Sequence, residues 1–231
     1  MASNDSETDA PAPSWRDQAV ARSLDSARVR AESRVQRFLD AALELMNDNS
    51  TGKEFTVQEV VEKSGQSLRS FYQYFGGKQE LLLALFEESV HSTADMLRDK
   101  IASEEDPRER LRIFVVEYYR ICRPTSAKSA KKAPARALAE FAQQLLTAEP
   151  AEAARAFVPL VSLFEGVLED AEQAGVLRAG IPRRRVAGVV LEAIMFNAFS
   201  TTIGGSLDGG SDGDAAAELW DLIFNGIGNN A

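Results

Sequence analysis

Arg69, Ser70, Tyr72, Gln73, Tyr74 and Lys78 stand close together in the chain, and their side chains have the reach and polarity to contact a nucleic acid. In a major groove an arginine fork pairs with guanine, a glutamine amide with adenine, and a serine hydroxyl with either. Tyr72 and Tyr74 offer hydroxyls suited to phosphate oxygens, and Lys78 places a cation in the first turn of a following helix, where free amides also favour an anion. Such a set both holds a protein on a duplex and reads it, provided that a helix presents it outward.

The flanking residues predict that helix. Thr56 followed three residues later by Glu59 has the form of a capping box, so a helix should begin near Val57. Val57, Val60 and Val61 fall on one side of it, and Gly65 stands where a left-handed residue would end it. Ser67 is placed to cap a second helix, in which Leu68, Phe71 and Phe75 recur at helical spacing and are expected to pack inward on the valines. Arg69, Ser70 and Gln73 are left on the opposite face, with Thr56 and Ser67 at the two helix starts completing the candidate DNA contacts. Two short helices and a tight turn have the proportions of a helix-turn-helix.

This stretch resembles the DNA-binding domain of the TetR (tetracycline-repressor-like) family of bacterial transcription regulators. The family's apolar first helix, threonine opening the second, glycine in the turn, and Tyr-x-Tyr-Phe followed by lysine and Glu-Leu-Leu are met by residues 38–46, Thr56, Gly65, residues 72–75, Lys78 and residues 80–82. The likeness covers about residues 30–90. Departures fall at Gly76 and Gly77, where a proline and a small polar residue are common, at Gln66, where an aliphatic residue is common, and at Leu68 and Arg69. The resemblance implies an all-α chain with a three-helix N-terminal domain and a larger C-terminal helical domain. It also implies dimerisation through the last two long helices, and a repressor released from a palindromic operator by a small-molecule effector.

The expected division is a flexible acidic leader over 1–25, the helix-turn-helix domain over 26–77, and an effector-binding and dimerisation domain over 78–231. With 231 residues and 45% hydrophobic content, both domains can bury a core. A lone Cys122 rules out an intramolecular disulfide framework and a cysteine-rich zinc site, and fits a reducing compartment. The N-terminus is acidic without the apolar run of a signal peptide, and no long uncharged apolar stretch suggests a membrane span, so a cytoplasmic location is expected.

A formal net charge of −9 argues at first against DNA, because phosphate neutralisation supplies most non-specific affinity. The distribution matters more. Over residues 22–37, Arg22, Arg28, Arg30, Arg34 and Arg37 face only Asp25 and Glu32, an excess of positive charge at the edge of the helix-turn-helix. Such a run is either a solvated face or a source of phosphate or minor-groove contacts.

Farther along, a first helix is expected to start between Asp25 and Arg34, and a fourth to run from Lys78 toward Leu97. Pro107 suits the first turn of the next helix, and further helical segments are predicted near 108–122, 134–147, 150–175, 183–203 and 214–227. Residues 182–199 are apolar around nearly the whole helical circumference after three arginines, so more than one side must be covered. The domain core can cover one side and a partner subunit the other, joined by the last helix with Leu219, Trp220, Leu222, Ile223 and Phe224.

Candidate ligand-lining residues are Phe114, Tyr118, Phe141, Phe164, Met195 and Phe199, on facing helices with few charges. Side chains of this kind serve as plain core as well as pocket walls. They point to an apolar or amphipathic effector; Lys128, Lys131, Lys132 and Arg136 form a basic cluster suited instead to an anionic ligand such as an acyl-CoA. No cofactor is implied. An enzyme is not expected, since no nucleophile motif or phosphate-cradling glycine loop is present. His91 with Glu87 and Glu88 shares a helix face, but these read as surface residues rather than as a metal site. The rival to a DNA-binding regulator is a helical small-molecule-binding protein with a vestigial helix-turn-helix, which has no need to keep Arg69, Tyr72, Gln73 and Lys78 outward.

Overall fold

The computed structural model describes residues 14–48, 55–122, 136–204 and 212–228, and these are all-α, with nine helices and no strand. The first, α1 (Trp15–Asp48), begins well upstream of the start expected between Asp25 and Arg34. Its early turns are made of alanine, arginine and other good helix formers, and once a helix is nucleated each added residue gains a hydrogen bond. Residues 18–30 are nevertheless all exposed, and burial starts in earnest only at Phe38, Leu39, Ala41, Ala42 and Met46. Part of the stretch expected as a flexible leader is therefore helical.

The next two helices are α2 (Val57–Ser64) and α3 (Leu68–Tyr74), and with the buried turns of α1 they close a small core. Phe38 meets Phe71 edge to face at 5.4 Å and Phe75 edge to face at 6.1 Å, while the Phe71 and Phe75 rings lie tilted at 5.3 Å. Burying each such ring stabilises by roughly 1.5–3 kcal/mol. Phe75 sits just past the end of α3 in extended backbone, not within the helix, yet remains buried.

A 24-residue helix, α4 (Lys78–Ile101), leaves this domain and enters the rest of the molecule, burying Leu81, Leu85, Phe86, Val90, Ala94, Leu97 and Ile101 at steps of three and four residues. It packs against α5 (Pro107–Cys122) and α7 (Pro150–Gln173), with α6 (Arg136–Ala148) alongside. Pro107 opens α5 and Pro150 opens α7, where a missing N–H costs nothing. The buried α5 is the centre of the larger domain, touching α4, α7, α8 (Arg183–Gly204) and α9 (Asp212–Ile227). Phe86 ties α4 to its neighbours through edge contacts with Phe157 at 5.4 Å and Phe141 at 6.4 Å. The chain's end is fastened by an antiparallel bridge between Leu177 and Gly228, with the Arg178 N–H donating to the Ile227 carbonyl at 3.2 Å. Among the described residues no helix is long and apolar enough to cross a membrane.

Candidate nucleic-acid interface

The turn that presents α3 is built from local hydrogen bonds. At the start of α2 the Thr56 hydroxyl accepts from the Glu59 N–H at 3.2 Å, and the Glu59 carboxylate accepts from the Thr56 N–H at 2.7 Å, a complete capping box. The same carboxylate accepts from the Thr56 hydroxyl at 2.9 Å, so that donor is committed to the cap. At the other end Gly65 has φ 65° and ψ 25°, a left-handed conformation that glycine adopts without a Cβ penalty. The Gly65 N–H reaches the Glu62 carbonyl and the Gln66 N–H the Val61 carbonyl, each at 3.2 Å, which satisfies the carbonyls a helix end leaves open. Ser67 then caps α3, its hydroxyl accepting from the Ser70 N–H at 3.1 Å.

Gln66, one of the departures from the family pattern, has a structural task that its sequence neighbours do not announce. Its amide donates to the Arg34 carbonyl of α1 at 2.8 Å and its carbonyl oxygen accepts from the Ser70 hydroxyl at 3.4 Å. The turn is thereby tied to α1, with Lys63 and Glu44 adding an ion pair at 3.1 Å. Ser70 is half-buried and engaged in this link, and so faces less fully outward than the spacing predicted.

Arg69, Tyr72 and Gln73 do share the exposed side of α3, opposite the fully buried Phe71. Leu68 does not pack inward on the valines as expected: it is 42% exposed. It is the first residue of a seven-residue helix, at the end away from the aromatic contacts with α1, so helical spacing alone does not bring it into the core. Tyr74 is half-buried, and Lys78 holds its ammonium 4.8 Å from the centre of the Phe55 ring. Gly76 and Gly77 offer no side-chain cap to α4; instead the Glu80 carboxylate reaches back to the Gly76 N–H at 2.5 Å. A glutamate three residues into a helix is the signal from which this contact was legible.

In the larger domain, Phe114, Tyr118, Phe141, Phe164 and Met195 are all buried. They form close-packed core: the Phe114 and Phe164 rings stack at 4.4 Å, and Tyr118 hydrogen-bonds to Cys122. Burial pushes the Cys122 thiol up to about 12, an inert thiol. Phe199 lies on α8, but its side chain is outside the described residues, as are those of Lys128, Lys131, Lys132 and Arg136. Neither of two surface clefts touches the aromatic set. One, of about 630 Å³, lies at the far end of α4 between Arg98, Ile101, Arg110, Leu163 and Asp170, where Arg110 pairs with Asp170 at 2.7 Å. The other, of about 800 Å³, lies at the start of α8, where Arg183 reaches Glu172 at 2.6 Å and Glu169 at 3.5 Å. His91 is exposed with a ring nitrogen 3.0 Å from the Glu87 carbonyl oxygen, and the described residues hold no cluster of three potential metal ligands.

A short capped helix held by its aromatic side and polar on its other, at the head of a long helical domain, defines an all-α helix-turn-helix protein. Residues 38–85 match the model of the tetR family of bacterial regulatory proteins, a match that supports membership of that family. It is 27% identical over 88 residues to the uncharacterised HTH-type transcriptional regulator YvdT of Bacillus subtilis, a match spanning 38% of this chain and 45% of the relative. It is 21% identical over 86 residues to the fatty acid metabolism regulator protein of the same organism, spanning 37% of this chain and 44% of that one. The matches thus cover less than half of the curated relatives. Among solved structures, the regulator FadR from Bacillus subtilis in complex with stearoyl-CoA superposes with a TM-score of 0.63 at 16% identity, over 83% of this chain and 98% of that one. At that identity the likeness is one of fold.

Proposed function

We propose that the chain is a homodimeric, cytoplasmic transcriptional repressor that binds a palindromic operator through α3 and is released by a small amphipathic effector. The observation that carries this reading is the two-sided character of α3, with Phe71 fully buried while Arg69, Tyr72 and Gln73 are exposed. Arg69, Ser70 and Gln73 take the base edges, and Tyr72, Tyr74 and Lys78 the phosphates. Thr56 and Ser67 act by fixing the helix ends that meet the backbone.

Dimerisation is assigned to α8 and α9, whose Val189, Phe196 and Leu222 are 60%, 40% and 73% exposed. Large apolar side chains left exposed on α8 and α9, both of which pack on α5, favour a protein partner. For the effector, the stearoyl-CoA complex of the structurally similar FadR makes a long-chain acyl-CoA the first class to test. An acyl tail among Phe114, Tyr118, Phe141, Phe164, Met195 and Phe199 has to part the Phe114–Phe164 stack, and Phe86 would carry the disturbance to α4. A tilt of α4 then spoils the spacing of the two α3 helices on successive major grooves.

The test is binding of the purified protein to its own upstream intergenic DNA against an unrelated duplex of equal length at fixed salt. A footprinted palindrome, released by acyl-CoA, supports the reading. No preference over random DNA counts against that operator, and loss of preference across a genomic DNA pool rejects the regulator.

A further inference from the structure

The charges on the exposed upstream part of α1 are sorted by face. Wound at 3.6 residues per turn, Arg22, Arg30, Arg34 and Arg37 fall within a sector of about 120°, with Ser26 and Ser33 between them, and all six are exposed. Asp25, Arg28 and Glu32 lie outside that sector, and Arg28, the one arginine of the run that is off the face, pairs with Glu32 at 3.4 Å. Arg22 donates to the Gln18 carbonyl at 3.2 Å, while Arg30, Arg34 and Arg37 have no ion pair among the described residues. Spaced four and three residues apart, these last three repel one another along the helix. The face starts beside the reading helix, because the Arg34 carbonyl accepts from the amide of Gln66, the residue just before the Ser67 cap of α3.

We propose that the upstream extension of α1 is a second DNA-contacting element, its Arg22, Arg30, Arg34 and Arg37 face lying along the sugar–phosphate backbone that flanks the half-site read by α3. The inference rests on the operator-binding reading and extends its contact surface beyond the helix-turn-helix. From Arg22 to Arg37 the face runs about 22 Å, or roughly six phosphates of one strand at 3.4 Å each. Guanidinium forks pair with phosphate oxygens and serine hydroxyls donate to them, so the face suits a phosphate row without reading bases. A row of anions opposite Arg30, Arg34 and Arg37 also removes their mutual repulsion. A helix that is only solvated gains more from opposite charges alternating at four-residue steps, a pattern present here once, at Arg28 and Glu32. Keeping Asp25 and Glu32 off the basic face lets a chain of net charge −9 meet phosphate with positive charge alone on that side.

The test measures binding of the full chain to a fluorescein-labelled duplex of random sequence at several salt concentrations, so it needs no known operator. Arg30→Gln and Arg34→Gln should each weaken binding about tenfold at low salt and flatten the dependence of log affinity on log salt by about one unit per protomer. Arg28→Gln changes the net charge equally, two residues from Arg30 but on the other side, and should stay within about twofold of the parent. Arg30→Lys keeps the charge and should keep the parent slope. Circular dichroism confirms that each variant retains its helix content. Equal losses from Arg28→Gln and Arg30→Gln, or none from Arg30→Gln and Arg34→Gln, would overturn the contact along α1 while leaving operator recognition by α3 standing. A parent chain with no affinity for any duplex would overturn both.

Discussion

The rings of Phe114 on α5 and Phe164 on α7 lie face to face, centroids 4.4 Å apart and planes within 9° of parallel, and both side chains are wholly buried. A contact of this kind locks two central helices of the larger domain against each other. Phe164→Ala should destabilise the protein by about 3–5 kcal/mol, the range for an aromatic truncation that leaves a cavity. Urea unfolding followed by circular dichroism measures it. A loss under about 1 kcal/mol would mean that the two helices are held chiefly elsewhere.

Arg69→Ala should weaken operator binding by about 1–3 kcal/mol if its guanidinium makes a bidentate base contact, while leaving thermal stability unchanged because the side chain is exposed. Fluorescence anisotropy at fixed salt reads the first and a melting curve the second. Unaltered affinity would remove Arg69 from the readout.

Leu222 is 73% exposed on α9, the helix that the proposed dimer would bury. Leu222→Glu should leave the protomer folded, since surface substitutions change stability by about 0.5 kcal/mol or less. It should nonetheless yield monomers and abolish operator binding. Light scattering on the eluting peak gives the mass; an intact dimer would take α9 out of the interface.

The Glu172 carboxylate accepts from the Arg183 guanidinium at 2.6 Å and from the Gly180 N–H at 2.8 Å, and these bonds, the arginine's first, hold its carboxyl below the ordinary 4.5. A depressed carboxyl contributes stability that is complete above the unfolded-state value and is lost as pH falls through the folded one. Glu172→Gln should therefore lower the melting temperature at neutral pH and make the acid limb below about pH 4.5 less steep. Melting curves of parent and variant that run parallel from neutral to acid pH would show that this carboxylate adds nothing.

The helices were legible because their signals are local. Thr56 with Glu59, Gly65, Ser67 and Pro107 mark their own positions by hydrogen bonds to neighbours a few residues away. What sequence did not disclose depends on distant partners. Gln66 reads as a turn residue until α1 brings the Arg34 carbonyl within 2.8 Å, and Leu68 reads as core until the packing of Phe71 fixes which side of α3 is inward. The early start of α1 was missed because exposed residues leave no burial pattern to find. The apolar stripes of α5 and α7 announced burial correctly, but whether buried rings stack or enclose a space is a matter of fit between helices, which spacing does not encode.

The length of α4 sets how small a motion is enough. At 24 residues it spans about 36 Å, so pivoting it by about 5° displaces its DNA-proximal end by about 3 Å. The rise between successive bases is roughly 3.4 Å, and in a symmetric pair the two displacements add. With Gln66 clamping the α2–α3 turn to α1, the whole head would swing as one piece. On the proposed reading, an effector would need only to change that angle by a few degrees for each reading helix to land on the wrong rung of the ladder.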